Sequence, residues 1–232
     1  MRSEDTLVIR GISLFSTMSD ENFDHLFNLA YLQHLPAQVQ IVTEGEHADF
    51  LHIVVAGTVE LFGSSNDRES AMFVHRPVSV FNLSAVLQDS VYLMSARTLD
   101  DATVLMIPAE NVRMVMAVDP AFAHAMVDEL AHRYGMIVGA FKEQRLRSGV
   151  ERLANYLLRA NEQTPGRGKV KLTEDKRTLA ALLGMTPEYL SRAFGKLKKY
   201  GVEVNGSDIK LTNLRNLSRL AKPNSLIDNR EI

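Results

Sequence analysis

Glu188, Ser191 and Arg192 stand three and four residues apart in the stretch TPEYLSRAFGKLKKYG, and with Gly195 they fall on one face of a helix. Leu190, Phe194 and Leu197 make the opposite, apolar face. The polar set has the chemistry of base reading. An Arg can bond guanine O6 and N7 as a fork, a Glu can accept from the cytosine amine, and a Ser can reach a base edge or a phosphate. Lys196, Lys198 and Lys199 suit phosphates, which position a protein on a duplex without reading its sequence. Thr186, Tyr189 and, on the preceding segment, Arg177 complete the candidate DNA contacts.

The local sequence says how such a face is held. Thr186 is a cap, Pro187 occupies the first helical position where its missing N–H costs nothing, and Glu188 suits the positive end of the helix dipole. Gly201 closes the helix. Upstream, Thr173 is expected to cap a helix with Leu179, Ala180, Leu182 and Leu183 on its apolar face, ended by Gly184. Two helices joined so tightly predict a helix-turn-helix. Downstream, Val202–Val204 and Ile209–Leu211 flank Asn205-Gly206, a strong hairpin signal, so the domain is expected to be a winged helix. A solvated face inside an all-helical domain would explain the polar residues, but not the cap, the turn and the wing together.

Charge supports the same partner. The 232 residues sum to −2, yet residues 1–144 carry 8 Lys/Arg against 19 Asp/Glu, and residues 145–222 carry 17 against 7. An acidic segment of −11 thus precedes a basic one of +10, a split that points the basic part at a polyanion. Cysteine is absent, which excludes disulfides, thiolate catalysis and iron–sulfur clusters. No run reaches the ~18 apolar residues of a membrane helix, and the first residues lack a signal peptide's apolar core. A cytoplasmic location and no membrane partner are expected. Scattered groups such as His47-Ala48-Asp49 form no nucleophile elbow, phosphate loop or metal-spaced cluster, so an enzyme is the weakest class.

Upstream of the basic segment, Ser19 precedes a helical spacing of Phe23, Leu26 and Phe27. From Leu35 to Ile107, short β-rich runs (Val39–Val42, Leu51–Val55, Thr58–Phe62, Ala71–Val74, Thr103–Ile107) predict a small barrel or jelly roll. Gly45 and Gly57 bracket what reads as a hairpin, with positive φ at both. From Pro120 to about Arg145 a long helix is expected, whose Val127, Leu130, Tyr134, Ile137 and Phe141 are spaced like a coiled-coil seam. Gly135 and Gly139 could admit a partner backbone, making this a homodimer interface, or the helix could pack on its own barrel. Residues 149–160 form another helix, with Leu153, Tyr156, Leu157 and Ala160 on one face, and Gln163–Lys171 reads as a basic loop.

The order of acidic β-roll, long dimer helix and basic winged helix resembles the CRP/FNR family of bacterial transcription regulators over nearly the whole chain. The landmarks are LFSTMSDENFDHL, EGEHADFLHIVVAGTVEL and LAALLGMTPEYLSRAFGKLKKYGV. The resemblance implies an α+β architecture: an N-terminal double-stranded β-helix like the cyclic-nucleotide-binding jelly roll (1–118), a dimerisation helix (119–145), a winged helix-turn-helix (146–222) and a tail (223–232). It also implies duplex DNA, a second copy of the chain and RNA polymerase as partners. Glu188, Ser191 and Arg192 match the E-x-x-S-R pattern of the FNR-like branches, which implies a TTGA-like half-site in a palindrome. The Thr-Pro-Glu lead-in looks most like the nitrogen-oxide-responsive DNR and NnrR type.

The sensor cassette departs from the family. Members that bind cyclic nucleotides carry Gly-Glu, followed about ten residues later by an Arg for the phosphate. Here Asn82 and Leu83 stand at Gly-Glu, Tyr92 or Leu93 at the Arg, and Arg97 comes four or five positions late. A buried phosphate without its cation is an uncompensated charge, so cyclic AMP is not the expected effector. Haem, with histidine as the natural axial ligand, is the remaining cofactor reading, with His75 just before the cassette and His124 and His132 on the long helix. The effector pocket would be lined by Phe81, Asn82, Leu83, Tyr92 and His75. Phe81, Leu83, Val86, Leu87, Tyr92, Leu93 and Met94 could hold an apolar ligand, or simply fill a core, which is favoured. The competing class is a ligand-binding signalling or scaffold module whose winged helix contacts protein.

Overall fold

Short β-branched and aromatic runs, interrupted by turn formers, give the first part of the chain its strands. The computed structural model describes residues 3–66, 68–164 and 168–228 and separates into two units, residues 1–131 and 132–232. In the first, helices α1 (Ser3–Arg10), α2 (Ser13–Ser16) and α3 (Asp20–Phe27) precede the strands. Ser19 caps α3 by accepting from the Asn22 N–H, and Phe15 meets Phe23 and Phe27 edge-on. The strands are β1 (Tyr31–Leu35), β2 (Gln40–Val42), β3 (Phe50–Ala56), β4 (Val59–Ser65), β5 (Arg68–His75), β6 (Ser79–Phe81), β7 (Ser95–Thr98) and β8 (Ala102–Pro108). They pair antiparallel in two four-stranded sheets, β1-β8-β3-β6 and β2-β7-β4-β5. Leu51, Ile53, Val59, Leu61, Ala96 and Leu105 from both sheets share one apolar core, closed by α4 (Leu83–Leu87) and α5 (Ala109–Val118).

The expected hairpin around Gly57 is not one. Strand β3 pairs with β6 and β8, whereas β4 pairs with β5 and β7, so the chain crosses there from one sheet to the other. Both strands are buried on both faces over four successive residues, Leu51–Val54 and Val59–Phe62, and sequence patterning cannot assign them to sheets. Gly57 is required at the crossing: its φ is +78°, and a Cβ would lie 2.4 Å from the Asp101 carbonyl. The strands β1, β6 and β7 were not apparent in the sequence because each is short and lacks clear alternation.

The long helix α6 (Pro120–Leu146) runs across the boundary between the units, within a residue of its expected span. In the second unit Ser148 and Glu151 form a reciprocal capping box that starts α7 (Gly149–Gln163). Helices α8 (Lys176–Leu182) and α9 (Pro187–Leu197) follow, then a 3₁₀ turn (Lys198–Tyr200), α10 (Leu214–Ala221) and α11 (Ser225–Asp228). A three-stranded sheet, β10-β11-β9, forms the wing from β9 (Lys169–Lys171), β10 (Val202–Asn205) and β11 (Asp208–Leu211). Leu153, Leu157, Leu179, Leu190, Phe194, Leu197, Ile209 and Leu217 make a second core.

Three expectations are corrected in this unit. Asp175, not Thr173, caps α8, because its carboxylate accepts from the N–H groups of both Arg177 and Thr178, while the Thr173 hydroxyl turns to Glu174. Lys169–Lys171 leaves the expected basic loop to become β9, a strand that only its pairing with β11 reveals; residues 165–167 of that loop lie outside the described residues. Asn205 still pairs with Asp208, so the wing turns at Gly206-Ser207 rather than Asn205-Gly206. The expected tail also contains the ordered helix α11.

Candidate nucleic-acid interface and sensor cassette

The start of α9 is built as its residues dictate. The Thr186 hydroxyl accepts from the Tyr189 N–H at 3.2 Å, and Pro187 takes the first turn. Leu190, Ala193, Phe194 and Leu197 are buried, which turns Glu188, Ser191, Arg192, Gly195 and Lys196 to solvent together. Glu188 is held below the usual carboxylate range, first by its own backbone N–H, then by the Thr186 hydroxyl, with Arg192 adding to it. The Ser191 hydroxyl donates to the Pro187 carbonyl at 3.0 Å, and the Arg192 guanidinium lies 5.8 Å from the Tyr189 ring centre. An acid, a hydroxyl and a guanidinium thus share one exposed helix face.

The flanking cations divide by element. Arg177 is exposed on the first turn of α8, and Lys198 and Lys199 are exposed on the 3₁₀ turn. Tyr189 differs from the other expected contacts: it is half-buried, its ring against Gly149, where a Cβ would lie 2.5 Å from the ring. It docks α9 on the start of α7. Two further sets escaped the sequence reading. Arg152 donates to the carbonyls of Leu183 and Gly184, bracing the turn between α8 and α9. Lys169, Lys171 and Lys210 are exposed on the wing, with Lys169 opposite Lys210. The alternation Lys-Val-Lys was the available signal for the wing lysines, whereas nothing local marks Arg152.

The cassette in the roll is assembled differently. Asn82 adopts a left-handed conformation, φ +67°, between β6 and α4, and Phe81, Leu83, Val86 and Tyr92 are buried. The Tyr92 hydroxyl accepts from the Phe50 N–H and donates to the Phe50 carbonyl. Burial first, offset in part by the Phe50 N–H, raises its pKa. Leu93 is corrected: it is exposed, while Leu87 and Met94 are half-buried. Arg97 turns away to the other sheet, paired with Glu60 at 2.6 Å and Glu69 at 2.9 Å and stacked over Phe62. The guanidinium near α4 is Arg113, bound to the Val86 carbonyl and Asp89.

The polar group at the centre of the cassette is one the sequence reading did not single out. His52, on β3, is 1% exposed, stacked on Phe81 at 4.9 Å and edge-on to Tyr92. Its Nδ1 lies 3.4 Å from the Asn82 amide, and its buried Nε2 has no hydrogen-bond partner among the described residues. Burial pushes its pKa down to about 4. Within an apolar strand run, one histidine gave no signal. His75 is half-buried, tilted against Phe81 at 5.6 Å with Nδ1 3.3 Å from the Ser79 hydroxyl. His124 pairs with Asp128 on the surface, and His132 is half-buried. Among the described residues, no three His, Asp or Glu gather as a metal site.

On the long helix, Val127, Tyr134, Ile137 and Phe141 are exposed, whereas Leu130 is half-buried against the core of the roll. The seam thus presents four apolar side chains rather than five. Gly139 admits a backbone as expected of a small residue, but it is the chain's own: a Cβ there would lie 3.2 Å from the Ile227 carbonyl. Among the described residues no helix is long and apolar enough to cross a membrane.

Sequence comparison matches residues 32–119 to the cyclic nucleotide-binding domain family and residues 151–220 to the Crp-like helix-turn-helix domain family, together about two-thirds of the chain. The chain belongs to the CRP/FNR family. A search of curated proteins by sequence gave no match. Among solved structures, a protein of Ruegeria pomeroyi described as cyclic-nucleotide-binding is 25% identical, with 97% of this chain and 100% of that one covered and a TM-score of 0.61. FixK2 of Bradyrhizobium japonicum is 22% identical, with 83% and 97% covered and a TM-score of 0.71. A CooA variant of Carboxydothermus hydrogenoformans is 20% identical, with 88% and 97% covered and a TM-score of 0.70. Likeness at this level carries the fold: a β-roll, a long helix and a helix-turn-helix. This is a family of transcription regulators, not of enzymes.

Proposed function

We propose that this CRP/FNR protein is a homodimer that reads a TTGA-like palindrome in duplex DNA, with Arg192 on guanine, Glu188 on the paired cytosine and Ser191 on a neighbouring base edge or phosphate. One observation carries the reading: these three side chains lie together, exposed, at the capped start of α9. The first turns of a recognition helix are the part that enters the major groove. Thr186, Arg177, Lys196 and Lys198 then meet the backbone. The exposed Val127, Tyr134, Ile137 and Phe141 form the self-interface, and two-fold symmetry sets the two recognition helices about 34 Å apart. A regulator bound to a promoter acts on RNA polymerase. The DNR/NnrR-like reading rests on the Thr186-Pro187-Glu188 lead-in.

The effector of the roll is other than a cyclic nucleotide. Leu83 is buried where a ribose acceptor would be needed, and Arg97 is committed to Glu60 and Glu69 on the other sheet. Haem on His75 does not fit the residues present: the flat space a porphyrin requires is filled by Phe81, Leu83, Val86 and Tyr92, all closed to solvent. Nitric oxide sensing through haem therefore gains no support from this cassette. The chain contains no cysteine for a cluster.

A gel shift on a TTGA-N6-TCAA duplex against a scrambled duplex tests the reading. Preference for the palindrome by a factor of about 10³ or more is expected of specific binding. Equal, weak affinity for both would support a winged helix that contacts protein instead.

A further inference from the structure

Arg147 is the one residue between the end of α6 and Ser148, the cap of α7. It therefore sits at the joint between the long helix and the reader. Its guanidinium forks onto Asp228, with both N–O distances 2.6 Å, and lies 3.6 Å from Glu143 one turn back on α6. Arg159 on α7 reaches the same two acids, at 2.8 Å from Asp228 and 3.4 Å from Glu143. The side chains of Arg147, Glu143, Asp228 and Arg159 are only 6%, 9%, 13% and 18% exposed, so two cations and two anions are sequestered together. Burial alone would raise the Asp228 pKa, but the Arg147 bonds and the Asn224 N–H outweigh it and hold the carboxyl low.

Asp228 reaches the joint because the C-terminal segment folds back as a strap. Asn224 donates its N–H to Asp228 and accepts from the Leu226 N–H, so the strap is a self-bonded turn. Its backbone at Ile227 seats on Gly139, where even a Cβ would lie 3.2 Å from the Ile227 carbonyl, tighter than an ordinary contact, and a larger side chain would press the strap away. A buried ion network of this kind is weak evidence for stability, since apolar residues of equal volume often do as well, but a bidentate fork fixes an orientation.

We infer that the strap from Lys222 to Asp228 is a positioning element: Asp228, acting through Arg147, sets the angle at which the reader leaves the long helix. This rests on the palindrome reading above. In a two-fold reader that angle determines which spacing of half-sites both recognition helices can engage, while each helix alone binds a half-site without it. Two variants release the strap by different physics: Asp228→Asn removes the charge, and Gly139→Val occupies its seat.

The test measures full-length protein, wild type and both variants, on TTGA-N6-TCAA, on the same duplex with N4 and N8 spacers, and on a single half-site. Expected is a loss of about tenfold or more in preference for N6 over the other spacers in both variants, with half-site affinity changed less than twofold. Unchanged spacing preference would overturn the role of the strap. Half-site affinity falling in parallel would overturn it too, showing a purely structural part in the fold of the reader. Wild-type indifference between the palindrome and a scrambled duplex would instead overturn the reading of DNA, and the role of the strap with it.

Discussion

Two arginines show how differently the two halves of the chain use the same chemistry. Arg97, in the roll, is bound by two carboxylates and an aromatic face, on a sheet away from the cassette. Arg192, in the reader, is exposed and rests only 5.8 Å from the Tyr189 ring centre, so its fork can be given to a ligand at little cost. The roll directs its charge and its apolar bulk onto itself, while the reader turns its polar groups outward. The lesson is that the groups proposed to read bases stand exposed together on one helix face, whereas the cassette has the packing of a core with one buried histidine at its centre.

If the cassette is core, truncating it must cost what a core truncation costs. Phe81→Ala should destabilise the roll by about 3–5 kcal/mol in thermal or denaturant unfolding, because a fully buried ring leaves a cavity. A cost near 1 kcal/mol would instead mean a space already prepared for a ligand. The buried histidine gives the next largest effect. Its folded pKa of about 4 lies below the unfolded value of 6.5, so the unfolded state binds the proton first as pH falls. Above pH 6.5 it contributes no pH dependence, and between 6.5 and about 4 stability should fall by about 3 kcal/mol in all. His52→Leu should flatten that stretch of the pH curve, and an unchanged slope would remove His52 from the account. Asp119, whose pKa is lowered chiefly by the Phe122 N–H, acts only at lower pH, as carboxylates protonate.

On the outward-facing side, the wing gives the smallest effect. Replacing Lys169 and Lys171 with Ala should weaken binding to all DNA sequences alike and reduce the slope of log K against log salt by about 2, one phosphate contact for each. A change in sequence preference would mean that the wing reads bases.

What the sequence disclosed follows the same division. The start of α9 was legible to the residue, because Thr186, Pro187 and the 3-4 spacing of apolar positions are local signals that tertiary contacts did not override; its end was not, since α9 stops at Leu197 and a 3₁₀ turn leads to Gly201. The long helix was legible for the same reason. The roll was legible only as many short strands: β3 and β4 read as a hairpin because burial on both faces conceals the sheet to which each belongs. Asp175 displaced Thr173 as the cap of α8 because a carboxylate can take two N–H groups where the hydroxyl found a nearer partner. His52 and the Arg147–Asp228 fork join residues far apart in sequence, and neither residue alone differs from a surface or core group of its kind. Gly139 was correctly read as a place of close approach, but the approaching chain was the molecule's own strap.

The central claim, that Arg192 reads a guanine, is tested most directly by a double cycle on the TTGA palindrome. Affinity is measured for wild type and Arg192→Ala, each on the intact duplex and on one in which the guanine pair of each half-site is changed. Wild type should lose about 1–3 kcal/mol per half-site on the altered duplex, and the variant almost nothing, since the contact is already gone. Equal losses in both proteins would mean that Arg192 does not read that base.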